Sequence, residues 1–249
     1  MVQTTIIGID CATEDSKVGL ALAVVSEDGC QLVQASACPS EQKVAELVST
    51  WIREADRVLI ALDAPLGWPR SLGEALPAHR AGQVLRQDAN KLFRRTTDEF
   101  IRKHLGKQSL DVGADRIART AHSALRLLDE LRKRTGYAVP LAWEPFYSER
   151  AAAIEVYPAA TLIAHGIQSS RYKKRDATVD RAAILERLNK VLGLPDDLSS
   201  MVNNADALDA AICTLAGFDF LKGLGSQPEE TETAVREGWI WVRERADQR

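Results

Sequence analysis

Cysteine and histidine are scarce in this chain, four of each in 249 residues, and neither is spaced for metal binding. Cys11, Cys30, Cys38 and Cys213 form no CxxC pair and are too sparse for a disulfide scaffold, which argues for reduced thiols and against a thiolate zinc site. His79, His104, His122 and His165 lack ligand spacing and read as structural or surface residues. No apolar run approaches the ~20 residues that a membrane span requires. The start of the chain lacks a basic region followed by an apolar stretch, so no secretory signal is expected and the expected location is cytoplasmic. Internal repeats, low-complexity tracts and clean domain boundaries are also missing, and 1–249 reads as one domain.

Positive charge is in short supply as a total but not locally. The net charge of −3 argues against constitutive binding to nucleic acid. Residues 86–134 nevertheless carry 13 Lys and Arg against 7 Asp and Glu, and residues 171–190 carry 7 against 3. Such stretches are solvated helix faces in most proteins, and here they also offer a local surface for phosphate.

What is present is a strand–helix rhythm. Residues 2–10 form an isoleucine- and threonine-rich strand closed by Asp10. Residues 17–25 and 30–38 read as second and third strands joined by an Asp28-Gly29 turn, giving an antiparallel meander. A helix is expected from Ser40, as N-cap, to about Ala55. Residues 57–63, R-V-L-I-A-L-D, make a continuously apolar fourth strand that again ends in an aspartate, Asp63. The intervening helix makes a crossover, so this strand can lie parallel to the first. Residues 70–148 interrupt the rhythm and read as a helical insertion with helices over 85–105 and 114–134. A fifth strand is expected at 150–157, helices at 159–165, 179–192 and 199–221, and a small terminal strand at 238–242.

The last long helix contains A-D-A-L-D-A-A-I-C-T-L-A-G-F, residues 205–218, almost all small or apolar except Asp206, Asp209 and Thr214. Asp206 and Asp209 are three residues apart and neighbours on one helix face. At ~5 Å and an effective dielectric of ~20 their repulsion is about 3 kcal/mol unless a cation lies between them. Asp10 and Asp63, on adjacent parallel strands about 4.8 Å apart, emerge at the carboxyl edge where open α/β sheets place ligands. Four such aspartates make a hard, all-oxygen cage suited to Mg²⁺ or Mn²⁺. Glu155, late in the fifth strand, either completes this set as a further ligand or binds an arginine. Arg94 and Asp98 have the spacing of a helical salt bridge. Arg95 is placed on a substrate phosphate, where its planar fork suits the oxygens, and Lys173 in a basic loop is placed likewise.

The order β-β-β-α-β-α-β-α, with aspartates after strands one and four and in the final helix, resembles the ribonuclease H-like fold. The A-D-A-L-D helix resembles that of RuvC-type resolvases. I-G-I-D, L-D-A-P-L-G-W-P, R-R-T-T-D, I-E-V-Y-P-A, the loop around Lys173 and A-D-A-L-D-A-A together resemble a widespread bacterial and archaeal family of uncharacterised, predicted ribonuclease H-like nucleases. The resemblance runs from Ile6 to about Gly217. It implies an α/β fold with a mixed five-stranded sheet of order 3-2-1-4-5 flanked by helices, and a metal-dependent nuclease site.

The expected function is therefore hydrolysis of phosphodiesters by a divalent-metal-dependent enzyme. Asp10, Asp63, Asp206 and Asp209 would hold two ions about 3.5–4 Å apart, with nucleic acid or a nucleotide as substrate. An ATP-binding protein of the actin/sugar-kinase type is the main alternative. Against it, only one phosphate-binding hairpin is present, and Cys11-Ala12-Thr13-Glu14 stands where a glycine is expected. A catalytically silent binding module with the same fold is the third reading.

Overall fold

The computed structural model describes residues 3–113 and 115–244. Val2 and Ala114, where an expected strand and helix begin, lie outside the described residues.

Runs of aliphatic and small residues form five strands in one sheet: β1 (Thr4–Asp10), β2 (Gly19–Ser26), β3 (Gly29–Ala37), β4 (Arg57–Asp63) and β5 (Ala151–Glu155). The order is β3-β2-β1-β4-β5. β2 pairs antiparallel with β1 and β3, whereas β1, β4 and β5 are mutually parallel. This is the mixed sheet of the ribonuclease H-like fold, with the order expected from sequence.

The helices are α1 (Val44–Glu54), α2 (Arg70–Ala75), α3 (Ala89–Phe93), α4 (Thr96–Leu105), α5 (Asp115–Thr135), α6 (Pro158–Ala164), α7 (Thr178–Leu188), α8 (Ser199–Asn203), α9 (Ala205–Leu221) and α10 (Thr231–Glu237). Two apolar layers cover the sheet. On one face Ile6, Ala21, Leu59 and Ile154 pack against α9, α7 and α8 through residues such as Leu208, Ile212, Leu185 and Met201. On the other, Ile7, Ile9, Ile60 and Leu62 pack against Val48 and Ile52 of α1 and Ala124, Leu128 and Leu131 of α5. Part of the 70–148 segment thus belongs to the second core layer.

Four expected helices are shorter than their sequence patterns, among them α7, which ends at Leu188 instead of at 192. Ser40 does not cap α1, because the Gln42 N–H donates to Pro39 C=O and commits 39–42 to a turn; Lys43 is the N-cap. The helix expected over 85–105 is divided at Arg94 and Arg95, which are extended, and Asp88 caps its first piece by accepting from Asn90 N–H. The helix expected over 199–221 breaks at Asn204, whose side-chain oxygen accepts from the N–H groups of Asp206 and Ala207. That local bond competes with helix continuation and starts α9 afresh. The expected terminal strand reduces to a bridge between Glu155 and Ile240, with Trp241 N–H donating to Glu155 C=O.

Contact between α9 and the sheet is unusually close. A Cβ on Gly8 would lie 2.1 Å from the Ala210 carbonyl oxygen, and one on Gly19 would lie 1.9 Å from that of Asp206. Both obstacles are backbone, so neither yields by a rotamer change. Gly8→Ala is expected to cost about 1–3 kcal/mol of overpacking and to lower Tm by roughly 2–12 °C. Gly73→Ala, in α2 with nothing within 4 Å of the added Cβ, should leave Tm unchanged or raise it slightly. Thermal denaturation of the two variants checks the contrast.

Candidate metal centre

Strand register places the first two carboxylates. Asp10 and Asp63 are direct partners across the parallel β1–β4 ladder, so both project from the carboxyl edge of the sheet at one level. The close seat of α9 brings in the third. One ligand oxygen each from Asp10, Asp63 and Asp209 lies within 4.8 Å of the others, with Asp10 and Asp63 half-buried and Asp209 buried. Asp206 lies outside that group, half-buried at the start of α9.

The three carboxylates repel each other in a partly desolvated setting. Burial, then the Asp63 and Asp209 charges, raise the Asp10 carboxyl far above its ordinary range. Asp63 is raised by burial and by Asp209, against the lowering effect of Lys173 and of a hydrogen bond from Asp10. Asp209 is raised chiefly by burial, which outweighs Lys173 and Tyr172. Asp206 moves the same way for the same leading reason.

Lys173 joins the centre from the basic loop between α6 and α7. Its Nζ lies 2.6 Å from Asp209 Oδ2, while the Tyr172 hydroxyl donates to Asp209 Oδ1 at 2.7 Å. Burial lowers the Lys173 ammonium, but Asp209, Asp63 and Asp10 outweigh it and the net shift is upward, keeping the cation charged. Arg181 of α7 fixes this loop from beneath: its guanidinium donates to the carbonyls of Tyr172, Lys174, Arg175 and Val202. The sequence reading missed Tyr172 and Arg181. The only signal for Tyr172 was one aromatic inside R-Y-K-K-R, and Arg181 looked like one more charge on a helix face.

Arg95 and Glu155 are brought together beside the carboxylate triad, outside its ligand-distance group but lining the same cavity. Both are buried, and Arg95 Nη2 lies 2.8 Å from Glu155 Oε1 while Nη1 lies 2.9 Å from Oε2. Arg95 also donates to both oxygens of Asp98 and to the Glu237 carbonyl, so its five N–H groups are all engaged. No donor is left for a substrate phosphate. Glu155 accepts in addition from Leu66 N–H, which ties down the loop after Asp63. The expected Arg94–Asp98 bridge is replaced, because the break before α4 turns Arg95 toward Asp98 and Arg94 toward Asp111. Glu237 completes the network by accepting from the N–H groups of Arg70 and Thr96.

The donor set fits a hard divalent cation. Three carboxylates offer six oxygens and no nitrogen or sulfur, the preference of Mg²⁺ or Mn²⁺. Their mutual repulsion is relieved by positive charge, which Lys173 supplies by direct contact at Asp209 and from a distance at Asp63 and Asp10, without overcoming the effect of burial there. A cavity of about 380 Å³ opens onto Asp10 and Asp63 and is also lined by Lys173.

Two outcomes follow from these contacts. Carboxyls raised above the ordinary aspartate range hold protons in the folded state that the unfolded chain releases. Stability of the metal-free protein should therefore fall as pH rises from about 4 through neutrality. Asp10→Asn should flatten that slope in urea titrations across pH. Arg95→Ala leaves Glu155 and Asp98 buried without their cation, and is expected to cost about 3–5 kcal/mol by the same titration at pH 7.

No curated protein matches the chain. The structure of T. thermophilus RuvC in complex with a Holliday junction substrate is similar at 14% sequence identity, covering 88% of this chain and 96% of that one with a TM-score of 0.33. At that score the likeness carries no argument, and the fold rests on strand order and direction. A family model described as "Protein of unknown function (DUF429)" matches residues 8–233, a span that includes all four aspartates. The chain belongs to the DUF429 family.

Proposed function

We propose that this protein hydrolyses phosphodiester bonds at a divalent metal site made by Asp10, Asp63 and Asp209. The observation that carries the reading is the convergence of those three carboxylates, from two strand ends and one helix, within 4.8 Å. A bound Mg²⁺ or Mn²⁺ would supply an acidified water and positive charge for the phosphate. Asp10 and Asp63 hold their oxygens at one level through the strand register, and Tyr172 orients Asp209 by its hydrogen bond. Lys173, half exposed and on a loop, exchanges its contact with Asp209 for the substrate phosphate. Asp206 stands beside the group as a carboxylate for a second ion. Glu155 serves the site indirectly by fixing the loop that follows Asp63.

The substrate is a nucleic acid or a nucleotide, and the setting is cytoplasmic. The four cysteines are free, and no helix among the described residues is long and apolar enough to cross a membrane. An ATP-binding protein of the actin/sugar-kinase type would carry two such hairpin domains, whereas the described residues form one five-stranded sheet.

Mn²⁺ is expected to raise Tm of the wild-type protein, and Asp10→Asn to abolish that rise. With Mn²⁺ the wild type should hydrolyse bis(p-nitrophenyl) phosphate, and the Asp10→Asn variant should be slower by about 100-fold or more. Equal thermal responses in the two proteins would remove the metal site. A Tm rise without hydrolysis of any phosphodiester would leave a metal-binding module in place of an enzyme.

A further inference from the structure

The cavity above Asp10 and Asp63 is a pocket with walls, and its walls come from segments distant in sequence. Its lining includes Lys107 and Leu110, from the connection between α4 and α5, together with Ile117 of α5. Tyr172 and Lys173 of the basic loop line it as well. Tyr157, half-buried after β5, also lines it. The volume of about 380 Å³ falls in the range of small-molecule pockets, about 300–1,000 Å³.

The lining is divided by chemistry. Leu110 is a large apolar side chain left 69% exposed, and Ile117 and Tyr157 add apolar lining to the same cavity, the chemistry a nucleobase takes. Lys173 stands by the carboxylates. Lys107 makes no ion pair among the described residues, so its ammonium is available to an anionic ligand. A floor of acids, an apolar wall and two ammonium groups fit a ligand with a base and a phosphate.

A duplex meets such a site badly. Its phosphates lie on a stiff outer surface, and a recessed floor is reached only by extruding a nucleotide, which costs a few kcal/mol when the base is paired and stacked. An unpaired nucleotide enters without that cost. We propose that the pocket takes a single unpaired nucleotide unit and presents the phosphodiester beside it to Asp10 and Asp63. That unit is either a free dinucleotide or the unpaired end of a strand. The inference rests on the phosphodiesterase reading of the same site and adds the substrate class.

The test is calorimetric binding with Mn²⁺ present, using three probes of one sequence: a phosphorothioate-linked dinucleotide, a duplex closed at both ends by hairpins, and that duplex with an unpaired tail. The dinucleotide should bind at least about tenfold more tightly than the closed duplex. Binding of the tailed duplex at the dinucleotide's affinity identifies strand ends as a source, and binding only of the dinucleotide identifies small molecules; either supports the proposal. Leu110→Asp, at an exposed position, should weaken dinucleotide binding about tenfold while the Mn²⁺-induced Tm rise persists. Equal affinity for the closed duplex and the dinucleotide would overturn the proposal, as would unchanged binding in Leu110→Asp. Both of those results are compatible with hydrolysis of bis(p-nitrophenyl) phosphate, so the pocket assignment fails separately from the metal site.

Discussion

The close seat of α9 on the first two strands is the contact on which the centre depends. Gly8 and Gly19 remove the side chains that would stand between helix backbone and sheet backbone. The Cβ clearances of about 2 Å mean that any residue larger than glycine separates the two elements. With that approach set, the helical turn that starts at Asn204 carries Asp209 over the ends of β1 and β4. Register does the rest, since Asp10 and Asp63 are partners in the ladder. Packing and hydrogen bonding thus force together three groups that electrostatics would keep apart.

That conflict shapes the neighbouring structure. Lys173 and Tyr172 both engage Asp209, and buried Arg181 holds the carbonyls of the loop that bears them. Burial, followed by the neighbouring carboxylates, raises the Asp10 and Asp63 carboxyls, and among the described residues neither has a cation in direct contact to offset it. A second charged cluster, Arg95 with Asp98 and Glu155, is satisfied within itself and acts as a brace. It joins α4 to β5, to the loop after Asp63 and to the end of α10. The two clusters line the same cavity but have different characters: the carboxylate triad is short of positive charge, whereas in the other both carboxylates pair with the one buried arginine.

Sequence pattern made the scaffold legible because strands announce themselves by composition and by how they end. β4 coincides with its expected span, and the aspartates closing β1 and β4 were readable as a pair once a crossover made the strands parallel. Asp209 was readable from its setting in an apolar helix. Other features depend on contacts between distant residues. The 3.6-residue pattern continued across Asn204, and only the side-chain bond to Asp206 and Ala207 N–H stops the helix there. Asp206 and Asp209 share a helix face, yet only Asp209 reaches the other carboxylates. Arg95 looked like a phosphate ligand because its partners, Glu155 and the Glu237 carbonyl, lie 60 and 142 residues away in sequence. Tyr172 was hidden in a charged run that looks like a solvated loop, and Arg181 among the charges of a helix face.

The central claim concerns where a cation sits, and a crystal structure of the Mn²⁺-soaked protein with anomalous scattering from the ion addresses it most directly. The expected result is an anomalous peak within bonding distance of Asp10, Asp63 and Asp209, with the Lys173 ammonium moved off Asp209. A structure in which Lys173 stays on Asp209 and no peak lies between the three carboxylates would contradict it.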